Sequence, residues 1–284
     1  MMHCELSNIV TYNPCVLEGQ TTLGELAELV HGADFHHWPV VDDDRRLLGM
    51  LASVDLVRIF EAAATALEVA GERRQERLAT VCNQPISELM PTRVLSIQQN
   101  QSPATALWML VENRIHALPV LTDDYLTALA TTSDFLREFS YGGSLAACLS
   151  VSEMMQDAGE PMDCDATLDE VAMAIHFTAS GVTPIVRGDL PLGVVSRREL
   201  GRLKLGKTLR EVFRGEFASE KSTSILALAA SAPTIRPGER LGTAAQLMLE
   251  HGRQAIAVVN QAGRLLGVVT EEAILRAMLD EMRS

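Results

Sequence analysis

Hydroxyl and carboxylate side chains follow the apolar run that ends at Ala130, and their spacing suits contact with a phosphorylated nucleoside. In the segment "ALATTSDFL", Thr131 ends a predicted strand, while Ser133 and Asp134 lie in the first turn of a predicted helix. A phosphate at that turn would meet unpaired backbone N–H groups, a partial positive charge and both hydroxyls. The Asp134 carboxylate could accept hydrogen bonds from the vicinal hydroxyls of a ribose. The segment therefore predicts a nucleotide site.

The same residues also fit a structural role that needs no ligand. Thr131-x-x-Asp134 matches the capping box, in which the two side chains satisfy the first N–H groups of a helix. The residues of this turn leave both interpretations open.

Two histidines stand at matching positions, each three residues before the anchor proline of a predicted strand: His116 and His36. A histidine that enters a strand beside a phosphate could donate a hydrogen bond to it, and the negative charge would raise the histidine pKa. The alternative is a partly buried histidine that is satisfied by its neighbours. Arg137 and Arg58 each follow an aspartate by three residues and could face a second phosphate, or extend into solvent as ordinary helix charges.

Four segments of one pattern must position these residues. Each contains an amphipathic helix, a β-branched strand, a polar turn, a second strand and another helix. The first anchors are Pro39, Pro119, Pro184 and Ala257, and the second anchors are Gly49, Ala128, Gly193 and Gly267. The anchors are separated by 10, 9, 9 and 10 residues, so the register holds in all four segments. The chain is therefore predicted to be built from an internal repeat.

The repeats predict an α/β sandwich of the α+β kind, with four β-α-β-β-α units in which a small sheet carries helices on one side. One such unit cannot bury both of its faces, so the units should pair. We place the repeats at about 3–60, 86–140, 151–204 and 225–284. The Gly142–Gly143 pair marks the best boundary between an N-terminal module, 1–143, and a C-terminal module, 144–284.

The repeats follow the order of a helix, the pattern "hPVVD", a turn and the pattern "GhhTxxDhh", in which h is an apolar residue and x is any residue. This order resembles the cystathionine β-synthase (CBS) domain, whose repeats pair into Bateman modules. The fourfold layout is similar to that of the γ subunit of AMP-activated protein kinase. The resemblance implies a non-enzymatic regulatory protein that binds an adenine nucleotide (AMP, ADP or ATP, with Mg²⁺ if ATP) in clefts between paired repeats. It also implies a homodimer and a separate regulated protein. A similar "IHRLPV" stretch in the kinase subunit implies a phosphate contact for His116.

The N-terminal repeats keep most of the family pattern. Repeat two has His116, Thr131 and Asp134 and lacks only the anchor glycine. Repeat one keeps His36 and Asp55, but has alanine where the hydroxyl should be, so that Ser53 must substitute. We therefore predict that the nucleotide binds in the N-terminal module.

The C-terminal repeats depart further from it. Repeat three offers Ser196 and Glu199, a carboxylate better suited to a capping box, and has glycine at the histidine position. Repeat four has Thr270 but Ala273 at the aspartate position, and Gln254 at the histidine position. The C-terminal half is predicted to be a structural partner or to hold a different ligand.

The composition limits the function classes. A net charge of −13 argues against nucleic acid, because phosphate backbones bind clustered basic faces. Basic residues cluster only locally, as in "RRELGRLK" at 197–204, so an anion would need a local pocket. No apolar run approaches the roughly 18 residues of a membrane span, and no signal peptide is evident. Five scattered cysteines favour reduced thiols in a cytoplasm over disulfides or a zinc site.

Two alternatives compete with the nucleotide sensor. Gly201–Thr208, "GRLKLGKT", matches the P-loop pattern of an NTPase, but such a loop needs a strand directly before it, and "RREL" predicts a helix there. The other alternative is a ligand-free dimeric scaffold. Its candidate surfaces are the apolar faces of "AILRAMLDEM" at 273–282 and of the helix that continues after Phe60.

Overall fold

The computed structural model describes residues 5–30, 37–68, 73–141, 144–209, 225–229 and 232–283. These residues form four small sheets flanked by helices, which confirms the predicted α+β class. Every helix in this part of the chain is too short or too polar to cross a bilayer.

The N-terminal half contains repeats one and two. The elements of repeat one are β1 (Thr11–Tyr12), β2 (Leu17–Glu18), α1 (Leu23–Val30), β3 (His37–Val41), β4 (Leu47–Ala52) and α2 (Ser53–Glu68). Helix α3 (Arg74–Cys82) packs against α1 and α2. The elements of repeat two are β5 (Ile97–Gln98), α4 (Pro103–Glu112), β6 (Ala117–Thr122), β7 (Tyr125–Thr131) and α5 (Thr132–Ser140).

The C-terminal half repeats this order. Repeat three consists of α6 (Val151–Met154), β8 (Met162–Asp163), α7 (Leu168–Phe177), β9 (Val182–Arg187), β10 (Leu190–Ser196) and α8 (Arg197–Leu209). Repeat four consists of α9 (Ile225–Ala229), β11 (Thr234–Ile235), α10 (Leu241–His251), β12 (Ala255–Val259), β13 (Leu265–Thr270) and α11 (Glu271–Arg283).

Each repeat forms the same three-stranded sheet, and in repeat two β1 adds a fourth strand beside β7. A short first strand runs parallel to the second across a helical crossover, and the second and third strands form an antiparallel hairpin. Each hairpin turn contains one residue with positive φ: Arg45, Asp123, Gly188 or Gly263. In the first turn, Asp42 accepts hydrogen bonds from the N–H groups of Asp44 and Arg46, so the three aspartates at 42–44 form the turn that connects two strands.

The second anchor of each repeat is small because a segment of the paired repeat crosses there. A β-carbon would lie 2.7 Å from the Pro91 carbonyl at Gly49, 2.5 Å from the Ala229 carbonyl at Gly193, and 2.5 Å from the Gln156 carbonyl at Gly267. These contacts join repeat one to repeat two and repeat three to repeat four. Repeat two tolerates Ala128 because Tyr12 of β1 pairs with it in regular antiparallel register.

The largest hydrophobic core joins repeats two and four across the predicted module boundary. Helices α4 and α5 pack against α10 and α11, with Phe135 and Phe139 in the same core as Ile274 and Met278. The expectation that the apolar face of "AILRAMLDEM" is a dimer surface is therefore wrong. An amphipathic face predicts burial, but it does not identify the partner.

Repeats one and three meet through α2 and α8. Ala63 and Leu67, on the part of α2 that continues after Phe60, are buried within the chain, so this face is not an open dimer surface either. The P-loop candidate Gly201–Thr208 lies entirely inside α8. A continuous helix has no loop of free N–H groups that could surround phosphates, so this alternative is wrong.

Candidate functional site

A cavity of about 470 Å³ lies where repeats two, three and four meet. Three of the equivalent positions that precede the first anchors, His116, Gly181 and Gln254, line it. The fourth, His36, lies outside the described residues, but the adjacent His37 lines a neighbouring cavity of about 540 Å³. Both cavities share His116 and Gln254, so they form one central space. We call it the central cavity.

Basic side chains converge on this space in an acidic protein. Arg114 and Arg197 line both parts of the central cavity, and Arg198 lines the second part. Arg114 and Arg197 are exposed to the cavity solvent. Three guanidinium groups next to His116 create a local positive potential despite the net charge of −13.

Arg114 is held in an unfavourable backbone conformation. It follows the C-terminus of α4 with φ of +52°, in the left-handed region that favours glycine. Repeat four places Gly252, with φ of +60°, at the equivalent position two residues before Gln254. A non-glycine residue here costs about 1 kcal/mol or more. Strain of this kind, beside a cavity, marks Arg114 as a candidate functional residue.

Glu271 is the buried carboxylate of the central cavity, with only 4% of its surface exposed. Its Oε1 lies 3.5 Å from Nδ1 of His116, and its Oε2 lies 3.6 Å from Nη2 of Arg198. Burial alone would raise the pKa of the Glu271 carboxyl, but His116 and Arg198 outweigh burial and hold this pKa below its ordinary value. Glu271 is therefore ionised at neutral pH, although its Oε1 accepts no hydrogen bond of good geometry from the described residues.

Gln254 connects Glu271 and its partner Arg198 to Ser196 of repeat three. With its oxygen directed toward Arg198, the Gln254 amide accepts hydrogen bonds from Nη2 and Nε of Arg198 at 2.9 and 3.3 Å, and donates to Oγ of Ser196 at 3.1 Å. Ser196 is itself held by Glu199, which accepts from its backbone N–H at 2.5 Å. The polar network thus links three repeats at the wall of the central cavity.

The predicted nucleotide turn of repeat two forms a capping box. Oδ2 of Asp134 accepts from the backbone N–H and Oγ1 of Thr131 at 2.9 and 2.6 Å. Its Oδ1 accepts from Oγ1 of Thr11 at 3.2 Å and from Nη1 of Arg137 at 3.0 Å. A ribose at Asp134 would have to displace Thr11 or Arg137. Thr132, next to this pair, is the residue of the turn that lines the central cavity.

The equivalent aspartate of repeat one, Asp55, has fewer hydrogen-bond partners than Asp134. Among the residues that the structure describes, only the Ala52 N–H donates to Asp55, at 2.9 Å to Oδ2. Ser53 lines the second part of the central cavity, whereas Arg58 lies exposed on α2. Asp55 therefore has fewer hydrogen-bond partners than Asp134 among the described residues, although neither aspartate lines the central cavity.

Three profile matches decide the family. The profile described as CBS domain matches residues 6–62, 86–141 and 228–280, which is more than half of the chain. The chain belongs to the CBS domain family. These matches cover repeats one, two and four. The third CBS repeat lies outside the matched residues, although its strands and helices follow the same order.

Similar proteins share the full length of the chain. The uncharacterized protein MJ1225 of Methanocaldococcus jannaschii is 20% identical over 272 residues, which cover 90% of this chain and 92% of MJ1225. The crystal structure of MJ1225, described as a proposed archaeal homologue of g-AMPK, has a TM-score of 0.71 at 17% identity and covers 97% of this chain and all 100% of its own. A conserved protein of Pyrococcus horikoshii has a TM-score of 0.59 at 15% identity, with the same coverage. At these identities the likeness establishes the four-repeat CBS fold.

The remaining predicted site residues lie at the starts of helices. Ser196 and Thr270 line the central cavity, and Thr270 also caps α11 by accepting from the Ala273 N–H at 3.2 Å. Glu199 is buried in its capping pair and lies 3.6 Å from Nη1 of Arg253. Ser133 is half-buried in the first turn of α5. The CBS repeats therefore bring His116, Ser196 and Thr270 together and leave Thr131 and Asp134 in a separate cap.

Sequence reasoning missed the arginines of the cavity and its carboxylate. The signal for Arg197 and Arg198 was the basic run at 197–204, a local cluster of positive charge in an acidic chain. The signal for Glu271 was the order Thr-Glu-Glu-Ala in CBS repeat four, where the carboxylate stands two positions before Ala273. For Arg114 the sequence held no signal, because its backbone strain is visible only in the structure.

Proposed function

We propose that this CBS domain protein is a non-enzymatic regulatory protein that binds an adenine nucleotide, with the nucleotide phosphate in the central cavity. The observation that carries the proposal is the convergence of Arg114, Arg197 and His116 on one space in a chain of net charge −13. Guanidinium groups present paired N–H donors that match phosphate oxygens. Buried hydroxyls of Thr132 and Thr270 add neutral donors on the same wall.

The size and lining of the cavity suit the rest of a nucleotide. Cavities of about 300–1,000 Å³ are typical of small-molecule sites, and both parts fall in that range. The second part has an apolar floor that includes Val54, Val57 and Leu200. An aromatic base would pack on this floor while its phosphate contacts the arginines. The choice of adenine rests on the family resemblance, and we assign the ribose to Asp55, which follows the lining residues Ser53 and Val54 on α2.

A ligand in this position would contact residues from all four repeats. Such a ligand can favour one relative packing of the repeats over another, in proportion to its difference in affinity for the two arrangements. This is how a protein without catalytic machinery would report nucleotide concentration to a regulated protein, whether as a monomer or as the predicted homodimer.

Isothermal titration with AMP, ADP and ATP tests the proposal. We expect wild-type protein to bind about one nucleotide in the central cavity, and Arg197→Gln to weaken binding roughly tenfold or more, because a hydrogen bond to a charged group is worth about 1.5–3 kcal/mol. Arg202→Gln is the matched control, since Arg202 is an exposed arginine of the same helix that does not line the central cavity. Absence of binding to all three nucleotides would reject the proposal, and equal losses in both variants would place the phosphate elsewhere.

A further inference from the structure

We infer that Glu271 limits how much negative charge a ligand of the central cavity can carry, so that a monophosphate is preferred to a triphosphate. This inference rests on the proposed function, because it assigns a specificity-determining residue to the proposed site. It begins from an unusual placement. A carboxylate that is 4% exposed stands in the wall of a cavity that Arg114, Arg197 and the exposed carboxylate of Glu272 also line.

Glu271 occupies the position that a phosphate oxygen would take between His116 and Arg198. Its two oxygens lie 3.5 Å from His116 and 3.6 Å from Arg198. A ligand phosphate that uses His116 must therefore share it with a fixed anion. The burial of Glu271 leaves little water to screen that repulsion.

The neighbouring repeat shows what the cavity would be without this carboxylate. The equivalent first position of α5 in repeat two is Thr132, a buried neutral donor that lines the same cavity. In repeat four, a carboxylate replaces the hydroxyl, and Ala273 stands at the position where a capping carboxylate would belong. Repeat four thus carries its negative charge inside the cavity instead of in the helix cap.

The energetic consequence depends on ligand charge. At an effective dielectric constant of about 20, two unit charges several ångströms apart repel strongly enough to change an affinity about tenfold or more, and the repulsion grows with each added phosphate. A nucleoside monophosphate meets the smallest repulsion, and a triphosphate the largest.

Isothermal titration of Glu271→Gln tests the inference, with AMP, ATP and pyrophosphate as probes in the absence of Mg²⁺. We expect the affinity for AMP to rise about tenfold and the affinity for ATP to rise by a clearly larger factor, about thirtyfold or more. Glu271→Thr, which copies repeat two, should give the same order of gains and serves as the second variant if the amide packs poorly. Glu112→Gln is the matched control, because Glu112 is an exposed carboxylate that pairs with Arg276 at 3.6 Å outside the cavity lining.

The outcomes separate the inference from the proposed function. If wild-type protein binds AMP but the Glu271 variants gain no more than Glu112→Gln, the inference is wrong and the function stands. If the wild type binds no nucleotide while Glu271→Gln binds pyrophosphate, Glu271 has the inferred role and the nucleotide function is wrong. Weaker binding in both Glu271 variants would show that the carboxylate positions His116 and Arg198, which overturns the inference. No binding by any protein overturns both.

Discussion

Replacing Arg114 by glycine should stabilise the fold and weaken ligand binding at the same time. Arg114 has φ of +52° and costs about 1 kcal/mol or more in that conformation. Glycine removes this strain but increases the entropy of the unfolded chain by about 0.5–1 kcal/mol. The expected net gain is therefore small, about 0.5 kcal/mol. Loss of the guanidinium should weaken phosphate binding about ten- to a hundredfold.

Arg45 provides a matched control for this experiment. Its φ is +64°, its side chain is exposed in the first hairpin turn, and it does not line the central cavity. Arg45→Gly should therefore give the same gain in unfolding free energy by urea denaturation, with unchanged nucleotide affinity by isothermal titration. Arg114→Asn tolerates the left-handed conformation and should reproduce the affinity loss without the flexibility of glycine. Wild-type affinity in Arg114→Gly would refute the functional explanation of the strain.

Two further predictions concern carboxylates. Asp134→Ala and Thr131→Ala each remove side-chain hydrogen bonds of the same helix cap, and Thr131→Ala keeps the carboxylate. Because Asp134 is engaged in that cap, we expect isothermal titration to give equal nucleotide affinities for the two variants. A further loss of about ten- to a hundredfold in Asp134→Ala alone would place the ribose at Asp134. For Glu281, burial raises the carboxyl pKa, but the Ser144 hydroxyl and the N–H groups of Ala146 and Leu145 outweigh it, so the folded-state pKa is lowered. The stability that Glu281 contributes is then fully present above its unfolded pKa of about 4.3 and is lost as the pH falls through the folded pKa. The difference in unfolding free energy between wild type and Glu281→Gln should therefore shrink below about pH 4. A constant difference across pH would contradict this.

The repeat could be predicted from the sequence because each register position has a local steric cause. Gly49, Gly193 and Gly267 are small because another segment crosses their strands, and a local spacing rule detects such positions. The same rule flagged Ala128 as a departure, and regular pairing with Tyr12 explains why a methyl group fits there.

The central cavity could not be predicted as a unit because its wall joins distant parts of the chain. His116 and Gln254 are separated by 138 residues and meet only after repeats two and four have packed. The apolar face of α11 made that packing possible, but its periodicity could equally have indicated a contact with a second chain. The His-Thr-Asp grouping that the sequence suggested divides in the structure, because the Asp134 carboxylate turns to the cap of its own helix, whereas His116 reaches Glu271 of repeat four.

The two interfaces between modules differ in a way that bears on regulation. Repeats two and four share one continuous core, in which Phe135, Ile256 and Met278 are almost fully buried. Among the described buried residues, Leu205 alone joins repeat three to the core of repeat one. Separating two elements costs free energy in proportion to the apolar surface that becomes exposed. Under the proposed function, a ligand in the apolar part of the central cavity contacts α2 through Val54 and Val57 and α8 through Leu200, so we expect it to act on the packing of α2 against α8 rather than on the interface of repeats two and four.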